Sequence, residues 1–164
     1  AVINSNFYLR LFEDEIMLEK ELSDFTAKNK LNLGLISLDA PLISNLDAWV
    51  NIALIKQYHE NLPNKKAKSL ALHYLQRYGM EHIADKRNTA LTNKERFTIM
   101  LLRAAMVKDA LVVLDRPFMI IPDIQDDRFI YDAVQIVSDS FKECHIFDYK
   151  WLEDRYGIIN AEKN

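Results

Sequence analysis

Apolar residues follow two different spacings along this chain, and each spacing predicts a different secondary structure. Short aliphatic, β-branched and aromatic runs are typical of buried strands, and they lie at 7–12, 33–38, 110–114 and 144–149. Elsewhere apolar residues recur three and four positions apart, as in amphipathic helices, at about 13–30, 46–54, 67–78, 92–107, 130–141 and 151–156. This alternation with short connections predicts an α/β fold with a mostly parallel sheet and flanking helices.

The segment 91–118 is the most informative part of this pattern. Thr92 and Glu95 stand three residues apart, the capping-box spacing in which each side chain bonds a free backbone N–H at a helix start. From 97 to 107 nearly every residue is apolar and Arg103 is the one charge, so we expect a helix that is buried on most sides. A short aliphatic strand then ends at Asp115, which Arg116 follows.

This segment resembles the second half of an ABC transporter ATPase. In that family an LSGGE signature opens a helix ending in an Ala-Arg-Ala type stretch, and the next strand, Walker B, ends LLDEP. The residues that match are Leu91, Thr92, Glu95, Arg103, Ala104, Leu114, Asp115, Pro117 and Phe118. Upstream, the residues that match the family's glutamine-bearing strand and the segment after it are Gly34, Ile36, Leu42, Leu46, Asn51 and Ile52.

The resemblance implies one domain over 1–164 with the fold of a truncated P-loop ABC ATPase domain. Two of the amphipathic helices match the family's helical subdomain, which we place at about 45–95. The match covers roughly 33–157 and leaves the first strand and helix unassigned.

The chain departs from the family at the positions that carry its chemistry. Asn93 and Lys94 replace the two signature glycines, and Arg116 replaces the glutamate that polarises the attacking water. Leu38 stands in place of the glutamine that senses magnesium and the γ-phosphate, and Asp148 in place of the histidine that contacts that phosphate. The three glycines lie far apart, so no GxxxxGK[ST] phosphate loop can be drawn. We therefore expect no ATP hydrolysis, no catalytic residue and no bound cofactor, ATP included.

Two groups of residues are candidates for a degenerate nucleotide site. They are Thr92, Asn93, Lys94 and Glu95 at a helix start, and Leu38, Asp115, Arg116 and Asp148 at strand ends. Asp115 is either a magnesium ligand or a structural carboxylate paired with Arg116 or another cation, and the lack of a phosphate loop favours the structural role. The helix start either contacts a nucleotide held by a partner subunit or is a plain capped helix, and the plain helix is favoured.

The amino-acid composition limits the kinds of partner that we expect and the cellular compartment in which the protein works. The chain has 164 residues, of which 49% are hydrophobic and 27% charged, and its net charge of −3 gives no reason to expect nucleic acid. The single cysteine, Cys144, excludes an internal disulfide and fits a reducing compartment. No apolar run is long enough to span a membrane. We expect a cytoplasmic protein that is at most peripheral to the inner face of the membrane.

Several other polar and aromatic residues favour structural roles. The four histidines show no metal-ligand spacing, so we assign no metal site. His145 follows Cys144 on a strand, where neighbours point to opposite faces, which argues against a Cys–His catalytic pair. Asp126 and Asp127 precede a helix and are expected to cap it. The two tryptophans, Trp49 and Trp151, lie in amphipathic segments and are expected in the core.

Three functional hypotheses remain. The leading one is a non-catalytic binding or regulatory component of an ABC transport system, which docks on a membrane subunit, pairs with a catalytic ABC ATPase subunit, or forms a homodimer. It predicts an exposed apolar groove around residues 46–80. The alternative is an asymmetric ATPase dimer in which this chain supplies Thr92 and Lys94 to the partner's ATP site. The third is a small α/β domain with an unrelated ligand.

Overall fold

A four-stranded parallel sheet forms the centre of the computed structural model, which describes residues 7–163. Its strands are β1 (Phe7–Phe12), β2 (Leu33–Ile36), β3 (Leu111–Asp115) and β4 (Glu143–Tyr149). They lie across the sheet in the order β1-β4-β3-β2, and each pairs in parallel with its neighbours. The predicted α/β class and parallel sheet are confirmed.

Seven α-helices connect and flank these strands within the described residues. They are α1 (Glu15–Lys28), α2 (Ala48–Glu60), α3 (Asn64–Gln76), α4 (Asn93–Ala105), α5 (Pro117–Ile120), α6 (Arg128–Ile136) and α7 (Gly157–Lys163). Short 3-10 segments lie at Glu81–Ile83, Asn88–Ala90, Ser138–Ser140 and Lys150–Tyr156. The capping box predicted for α4 is present: the Glu95 N–H donates to Thr92 Oγ1 (3.1 Å), and the Thr92 N–H donates to Glu95 Oε1 (2.9 Å).

The two faces of the sheet are covered by different helices. On one face, Leu18 and Leu22 of α1 pack with Val113 and Phe147. On the other face lies the larger core, which joins the sheet to α2, α3, α4 and α6. Because side chains alternate along a strand, β3 and β4 supply both cores at once.

Cys144 and His145 show this alternation. Cys144 belongs to the larger core. The His145 ring lies on the α1 face, 4.7 Å from the Phe25 ring, and its Nδ1 accepts a hydrogen bond from Arg10 Nε (3.1 Å). As predicted, the two neighbours lie on opposite faces and cannot form a catalytic pair.

Helices α2 and α3 lie inside the range assigned to a helical subdomain. Trp49 of α2 packs against the larger core, as expected for that tryptophan, and Leu75 of α3 is part of it. Helix α3 ends at Gln76, and Gly79 follows with a φ of 66°, in the left-handed region that glycine adopts without strain. The 45–95 subdomain boundary itself stays a prediction.

Strand β2 approaches α4 very closely at Gly34. A Cβ built on Gly34 would lie 2.6 Å from the Ala104 backbone oxygen and 2.9 Å from the Ala104 Cβ. Only glycine fits there without displacing the helix, so this residue sets the distance between the sheet edge and α4.

Two structural expectations were wrong. Trp151 is not in the core, since its residue is 63% exposed and its ring stacks on Tyr149 with a centroid separation of 4.1 Å. Asp126 does bond the start of α6 as expected, since its Oδ1 accepts from the Arg128 N–H at 3.0 Å, but Asp127 does not cap this helix with its side chain. Its buried carboxylate instead accepts hydrogen bonds from the backbone N–H groups of Ile158 (3.3 Å) and Ile159 (2.7 Å), so it satisfies the start of α7.

Candidate functional site

The carboxyl ends of the four parallel strands meet at one edge of the sheet, the usual place for a ligand in an open α/β sheet. There Asp115 ends β3 and is 4% exposed, and the Ser37 hydroxyl donates to its Oδ2 at 2.6 Å. Leu38, Asp115 and Arg116 line a cavity of about 210 Å³ at this edge, together with Glu15, Glu19, Ser37, Asp39 and Met119. The structure therefore brings together three of the four strand-end candidates.

Arg116 lines this cavity, and carboxylates of the same chain neutralise its positive charge. Its Nε donates to Asp115 Oδ1 (2.7 Å), its Nη2 to Glu19 Oε1 (2.6 Å), and its Nη1 to the Tyr149 hydroxyl (3.2 Å). Burial lowers the pKa of the Arg116 guanidinium, but the hydrogen bonds to Asp115, Tyr149 and Glu19 outweigh it and raise that pKa overall. The ion pair between Asp115 and Arg116 is the structural arrangement that the sequence favoured.

The backbone of Arg116 is also unusual. Its φ of 46° and ψ of 63° lie in the left-handed region, which is unfavourable for a side chain with a Cβ. The Arg116 N–H donates to the Phe147 carbonyl at 2.8 Å, which ties this turn to β4.

The connection from β1 to α1 lies at the same edge, and sequence reasoning did not assign it to the site. It consists of Glu13 and Asp14. Asp14 is the N-cap of α1, and its Oδ1 accepts from the Met17 N–H at 2.8 Å, while Glu13 pairs with Lys150 at 3.2 Å. An acidic cluster placed directly after a strand was the available sequence signal.

Asp148, the fourth strand-end candidate, does not line the cavity. It is 1% exposed; its Oδ1 accepts from the Tyr149 N–H at 2.8 Å, and its Oδ2 accepts from the Tyr156 hydroxyl. Burial raises the pKa of the Asp148 carboxyl, and burial and the neighbouring carboxylate raise that of the Tyr156 hydroxyl. This carboxylate holds the closing 3-10 segment onto β4.

The candidates at the start of α4 also do not line the strand-end cavity. Thr92 and Glu95 bond each other in the capping box. Asn93 Nδ2 donates to Asp123 Oδ1 at 3.2 Å, and Lys94 Nζ lies 5.2 Å from the centre of the Phe129 ring. Within this chain the α4 group is therefore not part of the site at the strand ends, and a role toward a partner's nucleotide stays a prediction.

A second concave surface, which we call the α2 groove, lies between α2 and the edge strand β2. It has a volume of about 680 Å³ and is lined by Leu33, Gly34, Leu35, Ala40, Pro41, Ile43, Asn51, Leu54, Ile55, Tyr58, Arg103, Ala104 and Val107. Ile55 and Val107 also line an adjoining cavity of about 570 Å³ that reaches Leu31 and Lys108. The sequence predicted an exposed apolar groove around 46–80. The α2 part of that range forms it, whereas no residue of α3 lines it.

The described part of the chain has neither a membrane-spanning helix nor a metal-binding cluster. Within residues 7–163 no helix is long and apolar enough to cross a membrane. Nor do three or more His, Cys, Asp or Glu side chains of this part come together in a group that could hold a metal ion.

Comparison with known proteins identifies relatives among transport ATPases. No protein-family model matches the chain. It is 34% identical over 137 residues to the lipoprotein-releasing system ATP-binding protein LolD of Pseudoalteromonas translucida, covering 80% of this chain and 56% of LolD. It is 22% identical over 92 residues to the lipopolysaccharide export system ATP-binding protein LptB of Escherichia coli, covering 56% of this chain and 38% of LptB. The chain thus spans about half the length of LolD and less of LptB.

The solved structures that resemble this chain in fold include ATP-binding cassettes. A dimeric post-hydrolysis structure of the ATP-binding cassette MJ0796 with ADP and Pi superposes with a TM-score of 0.59 at 12% identity, covering 94% of this chain and 79% of that one. A dimeric structure of MJ0796, described as a bacterial ABC transporter cassette, gives 0.58 at 15% identity, covering 90% and 77%. The chain is homologous to ATP-binding subunits of ABC transporters and has the fold of an ABC cassette.

Proposed function

We propose that this chain is a non-catalytic component of an ABC transport system and that it docks, through the α2 groove, on a helix of the transporter's membrane subunit. The groove is the observation that carries the proposal. Homology to ATP-binding subunits of ABC transporters supplies the class of partner. We place the protein in the cytoplasm, peripheral to the inner face of the membrane.

The groove has a mostly apolar lining, which suits an amphipathic helix. Helix α2 contributes Asn51, Leu54, Ile55 and Tyr58, which stand at i, i+3, i+4 and i+7 and so share one face. This face spans about 10 Å along the axis, close to two helical turns. Leu54 is 40% exposed and Tyr58 81% exposed, and exposed apolar surface of this kind marks interaction sites. A helix laid in such a groove would cover these residues with its own apolar stripe.

The strand-end cavity supports the non-catalytic part of the proposal. Both carboxylate oxygens of Asp115 are already bonded, Oδ1 to Arg116 and Oδ2 to the Ser37 hydroxyl. A magnesium ion at Asp115 would therefore have to displace a buried guanidinium. Arg116 also cannot accept a proton from water, so it cannot act as the general base that a carboxylate in that place would provide.

The β1–α1 connection also supports the non-catalytic part of the proposal. A phosphate loop places successive backbone N–H groups of a strand–loop–helix unit around an anion at the helix start. Here the connection is two acidic residues long, and the Asp14 carboxylate already occupies the start of α1. A phosphate approaching this helix start would meet the like charges of Glu13 and Asp14.

Titration with magnesium and ATP tests the non-catalytic part. We expect no heat and no thermal shift at millimolar nucleotide, with LolD as the positive control. Micromolar binding would stabilise the fold by about 4 kcal/mol at a thousandfold excess over Kd, which is easily measured. Such stabilisation, or measurable ATP turnover by this chain, would overturn the non-catalytic part.

Titration with a synthetic amphipathic helix tests the docking part. The peptide has about 16 residues, long enough to be partly helical, with leucines at i, i+3, i+4 and i+7 and a fluorophore for anisotropy. We expect Leu54→Asp to abolish binding, because it places a carboxylate in the apolar floor. Leu38→Asp is the matched control, since Leu38 is 53% exposed outside the groove. Equal binding by wild type and the Leu54 variant would contradict docking at this surface.

A second candidate function is the asymmetric ATPase dimer, and the strand-end edge favours it. Large exposed apolar residues follow all four strands within two to five positions, namely Ile16, Met17, Leu38, Met119 and Trp151. Such a patch is typical of a protein interface. This function predicts that Thr92→Ala or Lys94→Ala lowers the ATP turnover of a partner cassette without changing assembly. Unchanged turnover would exclude it.

A further inference from the structure

Helix α3 lies in the range where the sequence predicted a groove, but no residue of α3 lines the α2 groove. One side of this helix packs into the larger core through Ala71 and Leu75, which are fully buried. The rest of its surface carries Lys65, Lys66 and Lys68, and α3 contains no Asp or Glu. A helix with an apolar stripe on one side and cations on the other is typical of helices that lie on a membrane surface or bind an acidic protein.

Two of these lysines stand where they do not stabilise the helix. Lys65 and Lys66 lie in the first turn of α3, which holds no acidic residue, and Pro63 at the N-cap makes no side-chain hydrogen bond to this turn. The positive end of the helix dipole lies at the N-terminus, so cations there are unfavourable. Helix stability therefore does not explain these two charges, whereas an anionic partner would compensate them.

The connection from α3 to α4 adds two more cations beside α3. Lys68 Nζ lies 3.0 Å from Asp85 Oδ1, which ties α3 to this connection. The two residues directly after Asp85 are basic and exposed. We call the resulting surface the basic face, and it consists of Lys65, Lys66, Lys68, Lys86 and Arg87.

The basic face carries an excess of positive charge although the chain as a whole is acidic. Two of its cations are paired, with Asp85 and Asp47, and three form no ion pair among residues 7–163, namely Lys65, Lys66 and Lys86. The range 56–87 contains seven Lys or Arg against three Asp or Glu, whereas the rest of the chain contains 14 against 21. Positive charge is therefore concentrated around α3.

The shape of the basic face suits an extended partner. None of its residues lines the α2 groove, the adjoining cavity or the strand-end cavity. Its unpaired lysines are exposed on the outside of a helix and of a connection, and the mobile headgroups of a bilayer can gather around such charges. Because the apolar stripe of α3 is already buried in the core, this attraction would be electrostatic, without insertion of the helix.

We propose that the basic face binds the surface of a bilayer that contains anionic lipids. The proposed place of the chain at the inner face of the membrane brings such a bilayer within reach, and in this respect the inference rests on the proposed function. It adds to docking at the α2 groove a second attachment, which uses other residues and a partner of different chemistry.

Sedimentation with sucrose-loaded vesicles tests this inference on the chain alone. One set of vesicles is pure phosphatidylcholine, and the other contains about one third phosphatidylserine, an anionic lipid. We expect the protein to sediment with the phosphatidylserine vesicles at low salt and to remain in solution with the pure phosphatidylcholine vesicles. Raising the salt concentration should release it, because salt screens exposed charges.

A double variant, Lys65→Gln with Lys66→Gln, removes two charges of the basic face. We expect it to bind phosphatidylserine vesicles about 25-fold more weakly, about fivefold for each charge. Its Tm should be unchanged or slightly higher, because the two cations are lost from a helix N-terminus. The matched control is Lys20→Gln with Lys30→Gln, which makes the same change in net charge at exposed residues outside the basic face and should bind these vesicles as wild type does.

Three results would each overturn the inference. The first is sedimentation at low salt that shows no preference for phosphatidylserine. The second is an equal loss in the two double variants, which would mean that net charge alone decides. The third is binding of poly-glutamate but of no vesicle, which would make an acidic protein the partner.

The docking proposal is separable from this one. The Lys65→Gln, Lys66→Gln variant should bind the helical peptide as wild type does, because neither residue lines the α2 groove. Loss of vesicle binding with intact peptide binding overturns only the basic face as a membrane contact. Vesicle binding without any peptide binding overturns only docking at the groove.

Discussion

Arg116 offers the sharpest perturbation of the strand-end site. Replacing it with alanine removes the one cation within residues 7–163 that forms an ion pair with Asp115, whose residue is 4% exposed. The same change removes the contacts with Glu19 and the Tyr149 hydroxyl. Backbone geometry is not relieved, because alanine at a φ of 46° is strained as arginine is.

The expected loss of stability in Arg116→Ala depends on how deeply Asp115 and Glu19 are buried. Breaking a buried ion pair by removing one side costs about 3–5 kcal/mol, since the other charge is left without compensation. The lower end applies here, because the Ser37 hydroxyl still donates to Asp115 and the Glu19 side chain is 47% exposed. We expect Arg116→Ala to lower the free energy of unfolding by about 3 kcal/mol, a fall in Tm of roughly 6–12 °C. Arg116→Gly loses about 1 kcal/mol less, because glycine tolerates this φ.

Urea unfolding followed by circular dichroism measures both variants, and a double-mutant cycle isolates the pair. Asp115→Asn removes the charge while keeping the shape, so the double variant Asp115→Asn with Arg116→Ala regains part of the loss. We expect a coupling energy of about 1.5 kcal/mol or more. A loss below about 0.5 kcal/mol in Arg116→Ala, or additive single effects, would refute the view that internal ion pairing holds this site closed.

Three further predictions concern packing, pH and thiol reactivity. Gly34→Ala destabilises by about 1–3 kcal/mol in urea unfolding because its Cβ meets Ala104, while Gly157→Ala, with nothing within 4 Å, is neutral or stabilising and serves as control. Asp148→Asn gains stability over wild type as pH rises above the ordinary range of a carboxyl pKa: burial raises the pKa of Asp148, so wild type binds more protons when folded and loses stability as that carboxyl ionises. Equal pH slopes would contradict this. Burial also raises the pKa of the Cys144 thiol, so a thiol reagent should react only as fast as the protein unfolds, measured with and without urea.

The spacing of hydrophobic residues predicted the helices and strands well. A helix that buries one stripe and a strand that buries both faces each leave a characteristic pattern in the local sequence. All four strands appear close to their predicted bounds, and the capping box of Thr92 and Glu95 could be read directly. The order β1-β4-β3-β2 could not be predicted from spacing, because any parallel strand can neighbour any other through a crossover. That order matters for the site. Pairing of β1 with β4 brings the acidic connection of Glu13 and Asp14 to the strand-end edge.

The candidate site was predicted only where its members are adjacent in sequence. Asp115 and Arg116 are neighbours, so their pairing could be proposed from the chain alone. Glu19 completes the same network from 97 positions away, and no local pattern indicates such a contact. Asp127 was misassigned for the same reason. Its helix-capping chemistry was recognised, but the helix start that it bonds lies 32 positions further on, at Ile159.

The strand-end cavity and the α2 groove differ in how the charges of their side chains are compensated. At the strand ends, Arg116 contacts two carboxylates of the same chain, so a ligand would have to break existing ion pairs. In the α2 groove, the acceptors of Arg103 within residues 7–163 are neutral carbonyls, and the exposed Leu54 and Tyr58 line the same groove. A partner bound there would remove apolar surface from water and would break no ion pair of the described residues. These terms are the reason why we propose the groove, and not the strand ends, as the docking surface.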